Sequence, residues 1–445
     1  MSAAIGKAGP GVHGAAGVGV LGLGVVGSAV ARAILEREHI GHTQPSLKLL
    51  GAVVRDIRKP RLVRLPEGLL STHAATILDN PDVSIVVEVM GGEMPAFDYI
   101  SRALRAGKHV VTANKEVLCK RGAELEEIAA EHGVRLLYEA SVGGGIPIIG
   151  PLTTDLSANR ILGLRAIING TTNYILTKMA AGGAGFDVAL KEAQGLGYAE
   201  ADPTNDVDGF DAAFKITVLS RLAYRTHVPL EAVYREGIRN MDAKDFRYAK
   251  DLGFAIKLIA AAQREEDGLL VRVHPAFVPV GVPMANVNDV LNAVEIEGDM
   301  VGPLWLQGRG AGPSPTASAV MGDVLRIARE IESGSGVSTV RQPAEGLRLL
   351  QMGEHQCRYY LRLTVHDRAG VLAKIAGALG EMNISIRSVL QMDTDEKHRV
   401  AGLVIMTHPA REANMQKAVA HIRDLDVVAS LDNLIRVESY PDITY

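Results

Sequence analysis

Short apolar segments alternate with helical stretches through roughly the first third of this chain. Helical stretches such as 95–106 and 116–132 separate the apolar segments. Apolar strands separated by helices are typical of a parallel sheet with helices on both faces. We therefore predict an α/β fold with a doubly wound parallel sheet over residues 17–150. Its strands are VGVL (18–21), LKLLGAVV (47–54), VSIVVEV (83–89), HVVTANK (109–115) and VRLLYEA (134–140).

The first of these segments runs into a glycine-rich turn. Gly22-Leu23-Gly24-Val25-Val26-Gly27 fits the pattern G-x-G-x-x-G, directly after a strand and before a helix that starts near Ser28. Glycines at these positions let the backbone approach a pyrophosphate group at the helix N-terminus. The turn predicts a Rossmann-type dinucleotide-binding domain; a tight turn without a ligand is the alternative.

Two further strand ends carry candidate cofactor contacts. Arg55 and Asp56 follow the second strand and begin a basic loop. A basic residue there pairs with the 2′-phosphate of NADP, whereas an acid binds the ribose of NAD. Arg55 therefore favours NADP, Asp56 keeps NAD open, and a solvated basic loop is the alternative. Thr112 and Lys115 follow the fourth strand, at the edge of such a sheet that faces the ligand.

Five carboxylates crowd a loop that becomes a helix between Gly195 and Lys215. Asp211 and Lys215 are four residues apart, so a helix places them on one face. A carbonyl reduction needs a hydride donor and an acid that protonates the oxygen. Lys215 is the candidate acid, and Asp211 is expected to orient it or to bind a substrate ammonium. Glu200 and Asp206 are further candidates for that ammonium. The alternative is an ion pair on a surface helix.

Two polar turns complete the set of candidate sites. Glu139 precedes the loop Val142-Gly143-Gly144-Gly145-Ile146, where one carboxylate and several carbonyls suit a hard cation rather than a transition metal. A structural turn is the alternative there. Asn169-Gly170-Thr171-Thr172-Asn173 precedes a helix, which Thr171 or Thr172 can cap.

The rest of the chain predicts two more folded units. Residues 151–330 mix helices with a strand at 269–278, which predicts an α+β substrate-binding domain. Its last part, 309–330, is a glycine turn and a helix that closes the first domain. Residues 331–356 have a linker's composition. Residues 357–445 follow the order β-α-β-β-α-β of a ferredoxin-like unit. The helices predicted in the middle unit are 171–182, 187–194, 208–224 and 245–262.

The composition gives no indication of a nucleic-acid-binding, membrane or disulfide-rich protein. The net charge of −4 gives no reason to expect a nucleic-acid or membrane partner. No apolar run reaches the ~18 residues of a transmembrane helix. Two cysteines distant in sequence, Cys119 and Cys357, suit a reduced cytoplasmic protein. Residues 1–16 are rich in Gly and Ala and predict a flexible tail.

Together these motifs resemble those of the homoserine dehydrogenases, in the monofunctional bacterial form with a C-terminal ACT domain. The resemblance covers about residues 17–440. It implies the NAD(P)H-dependent reduction of L-aspartate 4-semialdehyde to L-homoserine, on the route to threonine, isoleucine and methionine. Its most specific parts are NGTTNYIL (169–176), GYAEADPTNDVDGFDAAFKITVLS (197–220) and GRGAGPSPTASAVMGDV (308–324).

The resemblance also implies roles for single residues. Lys215 matches the family's proton-donating lysine, and Lys115 matches a lysine between cofactor and substrate. Glu200 and Asp211 match acids that bind homoserine, and Asp206 matches a further polar residue of that pocket. Gly197 and Gly312 match backbone positions beside the cofactor. A monovalent cation, usually sodium, is implied at Glu139, Val142, Gly144 and Ile146, where all but the glutamate contribute carbonyls.

The C-terminal unit resembles an ACT domain, a module that often binds amino acids. Asp367 and Gly370 lie at its first strand-to-helix turn and Asn383 at the next turn, so the resemblance implies effector binding there, with threonine as the feedback inhibitor. A dimerisation module without a ligand is the alternative. The resemblance also implies homodimers paired through the middle domain, 151–330, which makes it the dimerisation domain, or homotetramers formed through ACT contacts. Rival functions are another amino-acid or hydroxy-acid dehydrogenase with an ACT tail, and an amino-acid sensor that has lost its activity.

Overall fold

The computed structural model describes residues 15–40, 45–335, 345–395 and 398–440. The chain divides into two compact units, each made of two stretches of sequence. The first comprises Met1–Pro151 and Ala311–Pro343, and the second comprises Leu152–Gly310 and Ala344–Tyr445. Of the predicted tail, residues 1–14 lie outside the described residues, and Ala16 already begins the first strand.

The first stretch of the chain alternates strands and helices, as predicted. Its strands are β1 (Ala16–Leu21), β2 (Leu47–Val53), β3 (Leu70–Ser71), β4 (Ile85–Glu88), β5 (His109–Thr112) and β6 (Leu136–Leu137). Its helices are α1 (Val25–Ile40), α2 (Ala75–Leu78), α3 (Ala96–Arg105), α4 (Lys115–Glu131) and α5 (Ile149–Thr153).

These six strands form one sheet in the order β3-β2-β1-β4-β5-β6, and all neighbours are parallel. This is the strand order of dinucleotide-binding domains, in which ligands bind at the carboxyl ends of the strands where the order reverses. The order confirms the predicted doubly wound fold, and it places the reversal between β1 and β4.

The middle of the chain builds a mixed sheet covered by helices. Its strands are β7 (Ile161–Ile167), β8 (Tyr234–Arg235), β9 (Phe254–Glu265), β10 (Gly268–Pro279), β11 (Leu291–Gly298) and β12 (Gly302–Arg309). Its helices are α6 (Gly170–Gly182), α7 (Phe186–Gly195), α8 (Thr204–Val207), α9 (Phe210–Tyr224) and α10 (Ala243–Asp251). Helix α11 (Pro313–Ser333) then returns to the first unit, where Val324 and Ile327 share a buried core with Val30 and Ile34 of α1.

The predicted helix over 245–262 is wrong beyond Asp251. Gly253 adopts φ +82° after α10, and the apolar run that follows is strand β9. This strand pairs with β7 on one side and β10 on the other, and most of its side chains are buried. Because both faces of a central strand are covered, its sequence lacks the alternation that separates a strand from a buried helix.

The C-terminal part confirms the predicted β-α-β-β-α-β order. Its strands join the mixed sheet as β17-β13-β15-β14, because β17 pairs in parallel with β10 at Ala276–Arg436 and Phe277–Val437. The elements are β13 (Gln356–His366), α12 (Val371–Glu381), β14 (Ile386–Asp395), β15 (Val400–Thr407), β16 (Ala410–Arg411), α13 (Glu412–Arg423) and β17 (Val428–Val437).

A buried carboxylate fastens this part to α10. Asp245 is fully buried and accepts hydrogen bonds from Tyr360 Oη at 3.0 Å, Arg362 Nε at 2.7 Å and Asn433 Nδ2 at 2.7 Å. The three donors come from β13 and β17, so the ferredoxin-like part is joined to the middle domain by polar contacts as well as by strand pairing.

Part of the predicted linker is ordered against β10. Leu269 N donates to Arg348 O at 2.8 Å, and Leu350 N donates to Leu269 O at 2.9 Å. Residues 336–344 of that segment lie outside the described residues. Among the described helices, none has the length and apolar character needed to cross a membrane.

Candidate functional site

The glycine turn has the geometry that a pyrophosphate requires. Gly22 adopts φ +96°, which favours glycine. A Cβ on Gly27 would lie 2.0 Å from Gly22 O, so this glycine allows α1 to pack closely on β1. A Cβ on Gly24 would meet nothing within 4 Å. The turn therefore leaves open the position at which a dinucleotide phosphate approaches the backbone, and the residues fit the cofactor.

An arginine links the loop after β2 to this turn. Arg61 Nη1 donates to Leu23 O at 3.3 Å, and Arg61 Nη2 donates to Asp56 O at 2.5 Å. Arg55 and Asp56 are exposed at the end of β2. Arg55 thus stays a predicted contact to a cofactor phosphate, and Arg61 holds the backbone around it.

A buried glutamate that no sequence motif singles out organises the carboxyl ends of β4 and β5. Glu88 is fully buried; its Oε2 accepts from Thr112 Oγ1 at 2.6 Å and its Oε1 from Met90 N at 2.7 Å. Burial raises the pKa of Glu88 above its usual range, against the lowering effect of these hydrogen bonds. Thr112 is itself fully buried, and its hydroxyl also accepts from Asn114 N at 3.0 Å. The signal in the sequence was a single acid inside an apolar strand.

Lys115 is the first residue of α4 and is half-buried. The residue before it fixes the start of this helix, since Asn114 Oδ1 accepts from Val117 N at 3.2 Å and Asn114 Nδ2 donates to Gly92 O at 2.7 Å. The helix start is thereby tied to the loop after β4. The role of Lys115 between cofactor and substrate stays a prediction.

In the second unit, Lys215 and Asp211 form a buried ion pair on α9. Lys215 Nζ donates to Asp211 Oδ2 at 2.7 Å and to Ile168 O at 2.6 Å. Lys215 is 9% exposed and Asp211 6% exposed. The pair is therefore not on a solvated helix face. A buried ammonium that donates a hydrogen bond to a fixed carboxylate is held in place, and it can give a proton to a neighbouring oxygen.

Asn169 joins a second carboxylate to this pair. Its Nδ2 donates to Asp211 Oδ2 at 2.9 Å and to Asp206 Oδ1 at 2.7 Å. Burial raises the pKa of Asp206, and the nearby charge of Asp211 raises it further. The Asn169 side chain also caps α6, because its Oδ1 accepts from Thr172 N at 2.8 Å. The predicted cap by Thr171 or Thr172 is therefore wrong.

The other carboxylates of the acidic loop do not join this network. Asp202 accepts from Thr204 N at 3.1 Å and closes a local turn, while Asp208 pairs with Arg239 at 2.6 Å. Glu200 is exposed, and its backbone carbonyl accepts from Gln194 Nε2 at 3.0 Å. Of the five acids, Asp206 and Asp211 converge on Lys215; substrate binding by Glu200 stays a prediction.

Comparison with known proteins identifies the family. Residues 147–325 match the family model "Homoserine dehydrogenase", residues 22–139 match "Homoserine dehydrogenase, NAD binding domain", and residues 359–427 match "ACT domain". The homoserine dehydrogenase of Synechocystis sp. is 43% identical over 400 residues, covering 87% of this chain and 91% of that protein. The chain belongs to the homoserine dehydrogenase family.

Other members give the same result. The homoserine dehydrogenase of Corynebacterium glutamicum is 41% identical over 88% of each chain. A crystal structure of a homoserine dehydrogenase from Thiobacillus denitrificans is 40% identical, with a TM-score of 0.89, and covers 96% of this chain and 98% of that chain. A crystal structure of S. aureus homoserine dehydrogenase at pH 7.5 is 31% identical, with a TM-score of 0.75, and covers 96% of this chain and 100% of that chain. Membership makes the chain an oxidoreductase with an NAD-binding domain and an ACT domain.

The remaining predicted cofactor contacts of this dehydrogenase are two glycines, one in each unit. Gly197 follows α7 with φ +76° and is exposed, and no atom lies within 4 Å of a Cβ built on it. Gly312 is the N-cap of α11 with φ +119°. Both positions favour glycine, and their contact with the cofactor stays a prediction.

The candidate cation loop of this dehydrogenase combines an engaged carboxylate with open carbonyls. Glu139 accepts from the backbone N–H groups of Ile148 at 2.6 Å, Ile149 at 2.9 Å and Gly150 at 2.7 Å, so it anchors α5. No hydrogen bond to the carbonyl oxygens of Val142, Gly144 or Ile146 is found within the described residues. Carbonyls of this kind fit a hard cation. The described His, Cys, Asp and Glu side chains form no cluster of three that could hold a metal.

The predicted effector residues lie on turns of the ACT domain. Asp367 follows β13, is exposed, and donates its N–H to Arg399 O at 2.8 Å. Gly370 is the N-cap of α12 with φ +89°, and Asn383 follows that helix with φ +57°. Effector binding at these turns stays a prediction.

Proposed function

We propose that this chain reduces L-aspartate 4-semialdehyde to L-homoserine with Lys215 as the proton donor. The observation that carries the proposal is the buried ion pair of Lys215 with Asp211, held from a second side by the Ile168 carbonyl. An exposed lysine would sample many positions, whereas two hydrogen bonds hold this ammonium. The names and similarity of the relatives support the substrate.

Bound NAD(P)H supplies the hydride that adds to the aldehyde carbon. As that bond forms, the carbonyl electron pair moves onto the aldehyde oxygen, which takes a proton from Lys215. The ammonium first stabilises the growing negative charge and then donates. Asp211 holds Nζ in position, and Asp206 and Glu200 bind the substrate ammonium. Lys215 regains its proton from solvent.

NADP is the proposed cofactor, with Arg55 on the 2′-phosphate. One solved relative, a hyperthermophilic archaeal homoserine dehydrogenase, is in complex with NADPH; it is 28% identical with a TM-score of 0.61 and covers 71% of this chain and 98% of that chain. We further propose that a monovalent cation such as sodium binds at Glu139, Val142, Gly144 and Ile146. The support is that no hydrogen bond to the carbonyl oxygens of the last three residues is found among the described residues.

The regulatory part of the proposal is feedback inhibition by threonine. The matched ACT domain supports an amino-acid effector, and Asp367, Gly370 and Asn383 are its proposed contacts. We propose a homodimer or homotetramer in the cytoplasm.

The test is the oxidation of NADPH and of NADH with L-aspartate 4-semialdehyde, followed by absorbance, with and without threonine. We expect rapid turnover, a preference for NADPH, and inhibition by threonine. Arg55→Ala should reduce the preference for NADPH and leave NADH turnover in place. If the folded protein turns over neither NADPH nor NADH, the result would favour the alternative that the chain is an amino-acid sensor without activity.

A further inference from the structure

Helix α9, which carries Asp211 and Lys215, begins without a capping side chain. Its N-cap is Gly209, in the left-handed conformation with φ +80°, and this glycine has no side chain to accept a hydrogen bond from the first turn. Asp211 is the second residue of the helix, so its carboxylate belongs to that turn. Other contacts to the residues around the N-cap must therefore fix the direction from which Asp211 meets Lys215.

Arg235 of β8 supplies two such contacts. Its Nη1 donates to Asp208 O at 2.5 Å, and its guanidinium carbon lies 3.4 Å from the centre of the Phe210 ring. Asp208 and Phe210 are the residues on either side of the N-cap glycine, so one planar group holds both sides of the turn that opens α9. A hydrogen bond from a charged donor is stronger than one from a neutral donor, and the stacked guanidinium adds a cation–π attraction.

The backbone that carries Arg235 is packed against the same turn. Arg235 lies opposite Val273 in the parallel pairing of β8 with β10. Further along the chain, Ile238 N donates to Val207 O at 2.8 Å. A Cβ on Gly237 would lie 2.4 Å from Val207 O, so only a glycine allows this close approach. The Arg235 side chain therefore extends from a fixed backbone to the start of α9.

We propose that Arg235 is a positioning residue for the reduction, acting through the first turn of α9 on the carboxylate of Asp211. This role rests on the proposed function, because Asp211 in turn holds the ammonium of Lys215. Without the guanidinium, Asp208 O loses this donor and Phe210 loses its stacking partner, so the turn relaxes. A small displacement of a group that holds the proton donor lowers the rate of the chemical step more than it lowers cofactor binding.

Arg239 provides a matched control on the same residue. Arg239 Nε donates to the carboxylate of Asp208 at 2.6 Å, whereas Arg235 donates to the backbone carbonyl of Asp208. Arg239 is exposed, and Arg235 is partly buried. Arg235→Met and Arg239→Met each remove one arginine from Asp208, and only the first removes a hydrogen bond to the backbone that leads into α9.

The test measures kcat, and the KM for NADPH and for L-aspartate 4-semialdehyde, in the full-length protein. We expect Arg235→Met to lower kcat about tenfold or more and to change the KM for NADPH less than about twofold. Arg239→Met should match the wild type. Arg235→Lys keeps a charged donor without the planar stack on Phe210, so it should recover part of kcat.

A double-mutant cycle with Asp211→Asn distinguishes an effect through Asp211 from a general loss of structure. If Arg235 acts through Asp211, Arg235→Met should lower kcat less than about twofold in the Asp211→Asn background. Equal fold-losses in both backgrounds would overturn the proposal, because Arg235 would then act independently of Asp211. Unfolding midpoints establish that each variant folds. If Arg235→Met does not fold, Phe210→Leu replaces it, since it removes the ring on which the guanidinium stacks.

The proposed function is tested separately by the turnover of the wild type and its loss in Asp211→Asn. If both are observed and Arg235→Met keeps a normal kcat, only the role of Arg235 is wrong. A loss of kcat in Arg239→Met equal to that in Arg235→Met would likewise overturn this role alone. A wild-type protein without turnover would overturn the proposed function, and the role of Arg235 with it.

Discussion

Lys215 Nζ lies 2.7 Å from Asp211 Oδ2, and both side chains are buried. The two residues therefore act as one unit, because removal of either leaves an uncompensated charge in a buried place. Asn169 ties Asp211 to Asp206, and Lys215 Nζ donates a second hydrogen bond to the Ile168 carbonyl. These contacts hold the ammonium in one place, as a proton donor requires.

Asp211→Asn should lower kcat by about a hundredfold or more, because the amide keeps the shape but no longer holds the ammonium by charge. The measurement is kcat and KM for the semialdehyde across a pH series. Asp208→Asn is the control, since Asp208 pairs with Arg239 outside the network. An Asp211→Asn enzyme with normal kcat contradicts the role of this carboxylate.

Asn169→Ala should lose both turnover and stability. The Asn169 side chain caps α6 and bridges Asp206 to Asp211. Loss of the cap costs about 1 kcal/mol. Asn169→Ser restores a capping oxygen without the bridging amide, so it should recover the unfolding midpoint and leave kcat at least about tenfold low. Recovery of both by serine would show that Asn169 acts as a cap alone.

Glu88→Gln should raise the KM for NAD(P)H by about fivefold with a smaller change in kcat. Glu88 accepts from Met90 N and Thr112 Oγ1 with its two oxygens, and the glutamine amide has only one acceptor oxygen, so one of these hydrogen bonds is lost. The loop after β4 then loses its anchor where the cofactor binds. Glu93→Gln, which breaks the exposed pair with Lys120, is the control. Equal KM values for NAD(P)H in Glu88→Gln and Glu93→Gln would contradict the role of Glu88 as the anchor of this loop.

Asp245→Ala should destabilise the ACT domain's attachment by about 1–3 kcal/mol, because the buried Arg362 loses the nearer of two carboxylates and keeps only Asp432, at 3.2 Å. The unfolding midpoint and the rate of proteolysis within residues 345–440 report the change. The double variant with Arg362→Met removes both charges and should recover much of the loss. If the double variant is as unstable as the single one, the lost stability would come instead from the hydrogen bonds that Tyr360 and Asn433 donate to Asp245.

The buried Lys257 should make the free energy of unfolding depend on pH. Burial lowers its pKa to about 8 from 10.5, while Nζ donates to Val287 O at 2.5 Å. The unfolded chain then binds more protons between about pH 8 and 10.5, so this lysine makes the folded state more stable as pH rises through that window, by up to about 3 kcal/mol. The wild type should gain in unfolding midpoint relative to Lys257→Met across the window. A constant difference contradicts the lowered pKa.

The sequence predicted the parts of this molecule whose cause is local. Gly22, Gly24 and Gly27 follow a strand and open a helix, and that context is enough to predict the turn and its sheet. Asp211 and Lys215 share a helix face by spacing alone. The C-terminal β-α-β-β-α-β order likewise follows from segments that alternate clearly.

The sequence did not predict features that depend on distant pairing. Strand β9 lies between β7 and β10 in the sheet, and most of its side chains are buried. The same run of apolar residues would also suit a buried helix. Glu88 meets Thr112 only because β4 and β5 are neighbours. Within the acidic loop, composition could not separate Asp202 and Asp208, which have local or exposed partners, from Asp206, which reaches Asn169.

The most direct test of the account compares Lys215→Met with Lys178→Met. Lys178 is partly exposed and pairs with Glu192 at 2.8 Å, so both variants lose a paired lysine and only one loses the proposed donor. Reduction of L-aspartate 4-semialdehyde and binding of NADPH are measured for each. We predict that Lys215→Met turns over about a thousandfold more slowly with NADPH binding unchanged, while Lys178→Met matches the wild type. Near-normal turnover by Lys215→Met would contradict the account.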